Sequence, residues 1–239
     1  MNGPLALVGG DELNPGNEPQ DELLVRAAGG GPAFVIATAA ARHAPGTAVA
    51  NAQRWFAHLG LAVKELPVRR RSQATSREIA EVAATGRFFY LVGGDPGIVP
   101  DILHESAVWE AIVGAWSRGA ALAGSSAGAM ALGQWTLTRA RRPGDHERRY
   151  HAALGLLPNL AVLPHFETFG NRWVASALAS RPTEDVVLLG VDERSAVVWA
   201  NGLWRAMGPG GVTVITLGDE RRFESGDFIE GLPALVESR

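Results

Sequence analysis

The stretch Gly124-Ser125-Ser126-Ala127-Gly128 places a serine hydroxyl between two glycines, each two residues from Ser126. This spacing is typical of a nucleophile elbow, because a turn sharp enough to expose the serine leaves no room for side chains at those positions. The sequences AALAG before it and GAMALG after it predict a buried strand and a helix, whose first amides would stabilise an oxyanion. Ser126 is the predicted nucleophile, since Ser125 lacks this glycine spacing; the alternative is a close-packed turn without chemistry.

A serine hydroxyl needs a base to accept its proton, and histidine is the usual base near neutral pH. Six histidines are present, and His165 is the predicted base because the apolar run in LAVLPHFE brings it to the end of a strand. The alternative is a structural role for His165. The other five are predicted to be packing or surface residues, two in helices (His58 and His104) and three in polar loops (His43, His146 and His151).

The base in turn needs a carboxylate that fixes its tautomer. Asp192 and Glu193 follow the apolar run VVLLGV, and since successive strand residues point to opposite faces, only one of them can face His165. Asp145, in an arginine-rich loop, is a further alternative acid. Surface ion pairs are the competing interpretation for all three carboxylates.

A second loop could complete the site. The strand in YLVGGDPG ends at Gly93 and Gly94, where side chains would block the approach of a substrate to the backbone. Gly93 and Asp95 are therefore candidate substrate-binding residues. The alternative is an ordinary strand-to-helix turn capped by Asp95. Gly10 and Asp11, after the first apolar run, are weaker candidates of the same kind.

Short apolar runs alternate with amphipathic segments along the first two thirds of the chain, which predicts parallel strands joined by helices. We expect one α/β domain over residues 1–239, with a doubly wound, mostly parallel sheet covered by helices on both faces. Among the predicted helices, one begins at a capping box of Thr75 with Glu78 and closes at Gly86, and another extends over 100–119. The last third, with the turn pair Asn201-Gly202, predicts an antiparallel extension.

Composition excludes several classes of function. The net charge of −3 gives no basic excess for nucleic-acid binding, and the 239 residues contain no cysteine for disulfides or thiolate chemistry. We find no HExxH pair, no GxGxxG loop, no membrane-length apolar run and no basic leader, so we expect a cytoplasmic protein without metal or cofactor. The expected partner is a small peptide substrate. We expect binding neither to nucleic acid nor to a membrane, and the sequence is compatible with a homo-oligomer.

The order serine, histidine, acid differs from that of α/β-hydrolases, which argues against a simple esterase of that class. The chain resembles the peptidase E and cyanophycinase family of serine peptidases, which has the flavodoxin-like fold of class I glutamine amidotransferases. The segments that carry this resemblance extend over most of the chain: LALVGGDE, FFYLVGGDPG, GSSAGAMALG, LLPNLAVLPHF and GVDERSAVVW.

The resemblance implies Ser126 as nucleophile, His165 as base, Glu193 as acid, and the backbone amides of Gly94 and Ala127 as oxyanion donors. Amidotransferases of this fold use cysteine at the elbow, so a chain without cysteine favours amide hydrolysis over ammonia transfer.

Cyanophycinases carry several arginines soon after the histidine, whereas HFETFGNRW keeps only Arg172 as a substrate-binding candidate. Cyanophycin is therefore not the expected substrate. A second source of positive charge is the loop TRARRPGDHERRY, which would bind a carboxylate or form a solvated face. Its arginines are Arg139, Arg141, Arg142, Arg148 and Arg149.

The sequence thus predicts a serine peptidase that acts on short peptides through an acyl-enzyme. Two other hypotheses are kept: a non-catalytic ligand-binding protein on the same fold, and an esterase of small acyl compounds.

Overall fold

The structure of the chain is a computed structural model that describes residues 1–139, 148–233 and 235. Its strands, in chain order, are Leu5–Val8 (β1), Ala33–Ile36 (β2), Lys64–Glu65 (β3), Phe88–Leu91 (β4), Ala121–Ser125 (β5), Gly133–Arg139 (β6), Arg148–Ala152 (β7), Leu157–Pro164 (β8), Val187–Val191 (β9), Ala196–Ala200 (β10), Leu203–Met207 (β11), Val212–Thr216 (β12) and Asp219–Phe223 (β13).

Short and medium-length helices connect these strands. They are Glu18–Ala28 (α1), Pro45–His58 (α2), Arg71–Ala74 (α3), Arg77–Ala84 (α4), Ile98–Leu103 (α5), Ala107–Ser117 (α6), Ala127–Leu132 (α7) and Val174–Ala179 (α8), with a 3-10 turn at Gly170–Trp173. None of the helices within the described ranges combines the length and the apolar character that crossing a bilayer requires.

The strands form two sheets. The first has the order β11-β10-β1-β5-β4-β2-β3, and its strands from β3 to β1 run parallel while β10 and β11 form an antiparallel hairpin at the other edge. The second has the order β13-β12-β9-β8-β6-β7, with a parallel centre of β6, β8 and β9. This confirms the predicted α/β class, and the antiparallel strands of the last third are divided between the two sheets.

Strand β1 shows how the core is organised around the first sheet. All four of its residues are fully buried, and they alternate between two apolar clusters. Leu5 and Leu7 belong to the cluster that also contains β8, β9 and α6 residues, whereas Ala6 and Val8 belong to the cluster under α1 and α2. Burial on both faces explains why this strand is a continuous apolar run rather than an alternating one.

The helix predicted at 100–119 is interrupted. Glu105 has a positive φ of 49°, which no continuous α-helix accommodates. Ser106 then begins α6 as its N-cap, and its hydroxyl accepts a hydrogen bond from the Trp109 amide at 3.2 Å. His104 accordingly lies after the end of α5 rather than near the start of a helix.

The predicted capping box at Thr75 is displaced by one residue. Ser76 is the N-cap of α4, with its hydroxyl accepting from the Ile79 amide at 3.4 Å. The Thr75 hydroxyl instead donates to the backbone carbonyls of the preceding short helix, at Arg71 and Ser72. The Asn201-Gly202 hairpin is confirmed between β10 and β11, with φ values of 53° and 83°.

Asp21 of α1 is a fully buried carboxylic acid. Its Oδ2 atom accepts a hydrogen bond from Trp55 Nε1 at 2.7 Å, and its Oδ1 atom has no partner among the described residues. Burial raises the pKa of Asp21 from 3.8 to about 7, with the Trp55 hydrogen bond opposing the shift and the charges of Glu12 and Glu18 adding to it.

The raised pKa gives a prediction for stability. Between pH 4 and pH 7 the folded state keeps the Asp21 proton that the unfolded state releases, so stability falls with rising pH, by roughly 4 kcal/mol in all. Asp21→Asn should remove this dependence, because asparagine keeps an oxygen acceptor for Trp55 and cannot ionise. Melting curves of both proteins at pH 5 and pH 8 test this: the variant should gain stability relative to wild type at pH 8. An equal difference in stability between the two proteins at both pH values would contradict the prediction.

Candidate active site

Ser126 lies in the sharp turn between β5 and α7. Its backbone has φ 48° and ψ −114°, an unfavourable conformation for a residue with a side chain. Two backbone hydrogen bonds hold it there: the Ser126 amide donates to the Val8 carbonyl at 3.0 Å, and the Met130 amide donates to the Ser126 carbonyl at 2.9 Å. The turn therefore has the conformation expected of a nucleophile elbow.

The two glycines of the elbow are required by close backbone contacts. A Cβ atom on Gly124 would lie 2.4 Å from the Gly128 carbonyl oxygen, and one on Gly128 would lie 2.2 Å from the Leu91 carbonyl oxygen. Both distances are shorter than any real Cβ contact. The steric reason given for the GxSxG spacing therefore applies in this fold.

His165 follows β8 and faces the serine. Its Nε2 atom lies 3.1 Å from Ser126 Oγ. The backbone of His165 has a positive φ of 50°, and its amide donates to the Gly9 carbonyl at 2.7 Å while its carbonyl accepts from the amides of Phe169 and Gly170 at 2.9 Å. The Phe169 ring stacks on the imidazole with a centroid distance of 4.9 Å, so both backbone and ring are held.

Glu193, after β9, supplies a carboxylate on the other side of the imidazole. Its Oε1 atom lies 2.7 Å from His165 Nδ1. If Nδ1 carries the proton, it donates to Glu193, and Nε2 accepts from the Ser126 hydroxyl. The Glu193 amide donates to both carboxylate oxygens of Glu167, at 3.0 and 3.1 Å, and burial raises the pKa of Glu167. Glu167 thus fixes the backbone that carries Glu193.

The two alternative acids are placed differently. Asp192 is buried and forms no hydrogen bond with His165 in the part of the chain that the structure describes. Its Oδ2 atom accepts from the Gly211 amide at 2.8 Å and from Arg222 at 2.6 Å. Asp145 lies outside the described residues, as does His146.

The backbone amides of Gly94 and Ala127 have no acceptor among the described residues. Gly94 has φ 147°, and a Cβ on it would lie 2.3 Å from the Ala39 carbonyl oxygen, so glycine is needed where this loop crosses the chain after β2. The Gly93 amide is engaged, because it donates to Glu12 Oε1 at 2.8 Å.

The remaining predicted binding residues are Asp95, Arg172 and the arginines of the loop TRARRPGDHERRY. Asp95 has a local structural role, since its carboxylate accepts from the Gly97 amide at 2.9 Å. Arg172 is exposed on the 3-10 turn, and within the described residues its side chain forms no ion pair with the three site residues. Its role in substrate binding stays a prediction. Of the arginine-rich loop, Arg141 and Arg142 lie outside the described residues, as does the side chain of Arg139.

None of the other described histidines forms a hydrogen bond with the Ser126 side chain. His58 ends α2, His104 follows α5, and His151 lies on β7 rather than in a loop. His43 follows β2 in a turn, as predicted. Among the residues that the structure describes, no three histidine, aspartate or glutamate side chains are grouped as metal ligands.

Gly10 leaves the space that the imidazole of His165 occupies. A Cβ on Gly10 would lie 2.2 Å from His165 Cε1 and 2.4 Å from Nε2, and the residue has φ 116°. In the sequence, Gly10 is only a weak candidate for the site. Its importance depends on a residue 155 positions later in the chain, which only the fold brings close.

Gly10→Ala should displace the imidazole from Ser126 and lower kcat for peptide hydrolysis by about 10²-fold, the cost of a misplacement near 1 Å. Gly46→Ala is the matched control, because Gly46 lies in α2 without a positive φ, and an added Cβ atom there would meet no neighbour within 4 Å. Steady-state kinetics and a melting curve of each variant test the prediction. Wild-type kcat in a folded Gly10→Ala protein would show that the imidazole does not need this space.

Comparison with known proteins places this site in a family. The model of peptidase family S51 matches residues 5–206, a range that contains Ser126, His165 and Glu193. Among solved structures, a peptidase from an acI-B1 Actinobacterium is 28% identical, with a TM-score of 0.82 over 96% of this chain and 97% of the other. A candidate peptidase E protein from Listeria monocytogenes EGD-e is 17% identical, with a TM-score of 0.64 over 88% of this chain and 100% of the other, which supports the fold alone.

No curated protein matches the chain. The family match covers far more than half of the sequence, and it agrees with the resemblance seen in the elbow and the histidine segment. The chain belongs to peptidase family S51 and is a serine peptidase.

Proposed function

We propose that the chain hydrolyses short peptides through an acyl-enzyme on Ser126, with His165 as general base and Glu193 as the acid that orients it. One observation carries the proposal: a continuous hydrogen-bonded series from Ser126 Oγ to His165 Nε2 at 3.1 Å and from His165 Nδ1 to Glu193 Oε1 at 2.7 Å. This is the geometry that activates a serine hydroxyl.

In the first step, His165 Nε2 takes the hydroxyl proton while Ser126 Oγ forms a bond with the scissile carbonyl carbon. The carbonyl oxygen becomes an oxyanion, and the free amides of Gly94 and Ala127 are the donors for it. Glu193 stabilises the imidazolium that results. His165 then gives its proton to the departing amine as the carbon–nitrogen bond breaks.

In the second step, water attacks the acyl group on Ser126. His165 accepts a proton from that water, a second tetrahedral oxyanion forms at the same amides, and the ester bond breaks as the proton returns to Ser126 Oγ. The acid product leaves and the enzyme is regenerated.

An aromatic wall beside the imidazole favours a peptide substrate. Phe169 is 39% exposed where it stacks on His165, and its ring lies 5.5 Å from that of Trp173. The Arg148 guanidinium lies 3.8 Å above the Trp173 ring. The wall thus offers apolar surface next to the reacting atoms, which suits the side chains of a short peptide.

A library of dipeptides and tripeptides, assayed for released amine, tests the proposed function. We expect turnover of some peptides by wild type and none by Ser126→Ala. Thermal stabilisation by peptides without turnover would instead support a ligand-binding protein. Cleavage of small esters alone would support an acyl esterase, and either result would overturn the proposal.

A further inference from the structure

Glu12, in the loop after β1, joins the ends of two neighbouring strands. Its Oε1 atom accepts a hydrogen bond from the Gly93 amide after β4 at 2.8 Å, and its Oε2 atom accepts from the Ser125 hydroxyl at the end of β5 at 3.0 Å. A Cβ atom on Gly93 would lie 3.0 Å from Glu12 Oε1 and 3.3 Å from Ser126 Cβ, so the carboxylate and the nucleophile border the same small space. The Glu12 side chain therefore connects the loop that contains Gly93 and Gly94 to the end of β5, which directly precedes Ser126.

The hydrogen bond from the Gly93 amide to Glu12 is one of two contacts that hold the backbone on either side of Gly94. The residue after it, Asp95, donates its amide to the Ala39 carbonyl at 2.9 Å. The residue before it, Gly93, donates its amide to Glu12. The Gly94 amide lies between these two anchors and has no acceptor among the described residues. Its direction is therefore set by the flanking peptide groups, one of which depends on Glu12.

The loop that carries Glu12 is itself held firmly. The Asn14 side-chain amide donates to Asp11 Oδ1 at 2.7 Å and to the Glu12 carbonyl at 3.3 Å. Asp11 forms an ion pair with Arg194 at 2.5 Å, and Arg194 is the residue after Glu193. The loop thus contacts the segments that carry the acid, the nucleophile and the oxyanion donor.

We infer that Glu12 is a positioning residue of the peptidase: its carboxylate fixes the Gly94 amide at the distance from Ser126 that a tetrahedral oxyanion needs. This inference rests on the proposed function. Glu12 acts through Gly93 and Ser125 and, among the described residues, forms no hydrogen bond with His165 or Ser126. Its effect should appear in the transition state, where the oxyanion forms, rather than in substrate binding.

The action of Glu12 depends on the reach of its side chain and on having an acceptor for Gly93, not on charge. Glu12→Gln keeps the length, its oxygen can accept from Gly93, and its amide can donate to the Ser125 hydroxyl. Glu12→Asp keeps the charge but is one methylene shorter and cannot span both partners. Glu12→Ala removes the bridge.

Measurement of kcat, KM and melting temperature for the three variants on a peptide that wild type cleaves tests the inference. We expect Glu12→Ala and Glu12→Asp to lower kcat by about 10²-fold with KM little changed, and Glu12→Gln to recover most of kcat. Glu22→Gln, which removes an exposed carboxylate of α1 that pairs with Arg26, is the control and should match wild type.

Three results would overturn the inference: wild-type kcat in Glu12→Ala, a Glu12→Gln variant as slow as Glu12→Asp, or a loss confined to KM. Comparison of the Gln and Asp variants decides the matter even if Glu12→Ala does not fold. Absence of turnover by wild type would refute the proposed function instead, so the two failures are distinct.

Discussion

Replacing Ser126 with alanine is expected to lower kcat for peptide hydrolysis by about 10⁶-fold, the loss that follows removal of a serine nucleophile from a triad. The reason is geometric as well as chemical. Ser126 Oγ lies 3.1 Å from His165 Nε2, and among the described residues no other hydroxyl forms a hydrogen bond with that imidazole nitrogen. The melting temperature should change little, because the Ser126 hydroxyl forms no other hydrogen bond among the described residues.

Ser125→Ala is the comparison that makes this prediction specific. The Ser125 hydroxyl is adjacent in sequence but donates to Glu12 at 3.0 Å and not to His165. We expect its loss of kcat to be far smaller, since Glu12 would keep its contact with Gly93. Single-turnover and steady-state assays of both variants separate the two serines. Equal losses in the two variants, or measurable turnover by Ser126→Ala, would contradict the assignment.

The second large effect is expected at the acid. Glu193→Gln should lower kcat by about 10⁴-fold, because an amide nitrogen facing His165 Nδ1 favours the tautomer with the proton on Nε2. Nε2 would then be unable to accept the proton of Ser126. The 2.7 Å contact between Glu193 Oε1 and His165 Nδ1 is the basis of this expectation.

Asp192→Asn is the matched control for Glu193→Gln. The Asp192 carboxylate accepts from Gly211 and Arg222 and should contribute to stability rather than to kcat. We expect near-normal kcat with a lower melting temperature. Kinetics and melting curves of the two variants measure the contrast. A large loss of kcat in Asp192→Asn together with near-normal kcat in Glu193→Gln would identify the other carboxylate as the acid.

The elbow could be predicted from sequence because its constraint is local. The spacing of Gly124 and Gly128 around Ser126 reflects contacts within one turn and with one neighbouring strand. The position of His165 could be predicted for a related reason, since the apolar run before it marks a buried strand end. Both predictions depend on short stretches whose residue types limit the backbone.

The choice between Asp192 and Glu193 could not be made from the strand pattern. Alternation says that the two side chains point to opposite sides, but not which side holds the histidine. In the structure that choice follows from groups far along the chain: Arg222 on the Asp192 side and His165 on the Glu193 side. The same limit applies to Glu12 and Glu167, because their roles depend on tertiary contacts that the sequence pattern does not indicate.

Two predicted helix boundaries, the continuous helix at 100–119 and the cap at Thr75, were wrong for local reasons. The apolar spacing across 100–119 continues through a break at Glu105, because the residues on both sides of the break pack on the same core. At the other helix, Thr75 and Ser76 are both good caps, but the Thr75 hydroxyl is bound to carbonyls of α3, so Ser76 is the N-cap of α4. Periodicity therefore predicts which segments are buried better than it predicts where each helix begins.

The nucleophile can be identified most directly by labelling the protein with a fluorophosphonate and locating the adduct by peptide mass spectrometry. We expect one phosphonylated serine, Ser126, with labelling retained in Ser125→Ala and absent in Ser126→Ala. An adduct on another residue, or equal labelling of wild type and Ser126→Ala, would show that Ser126 is not the nucleophile.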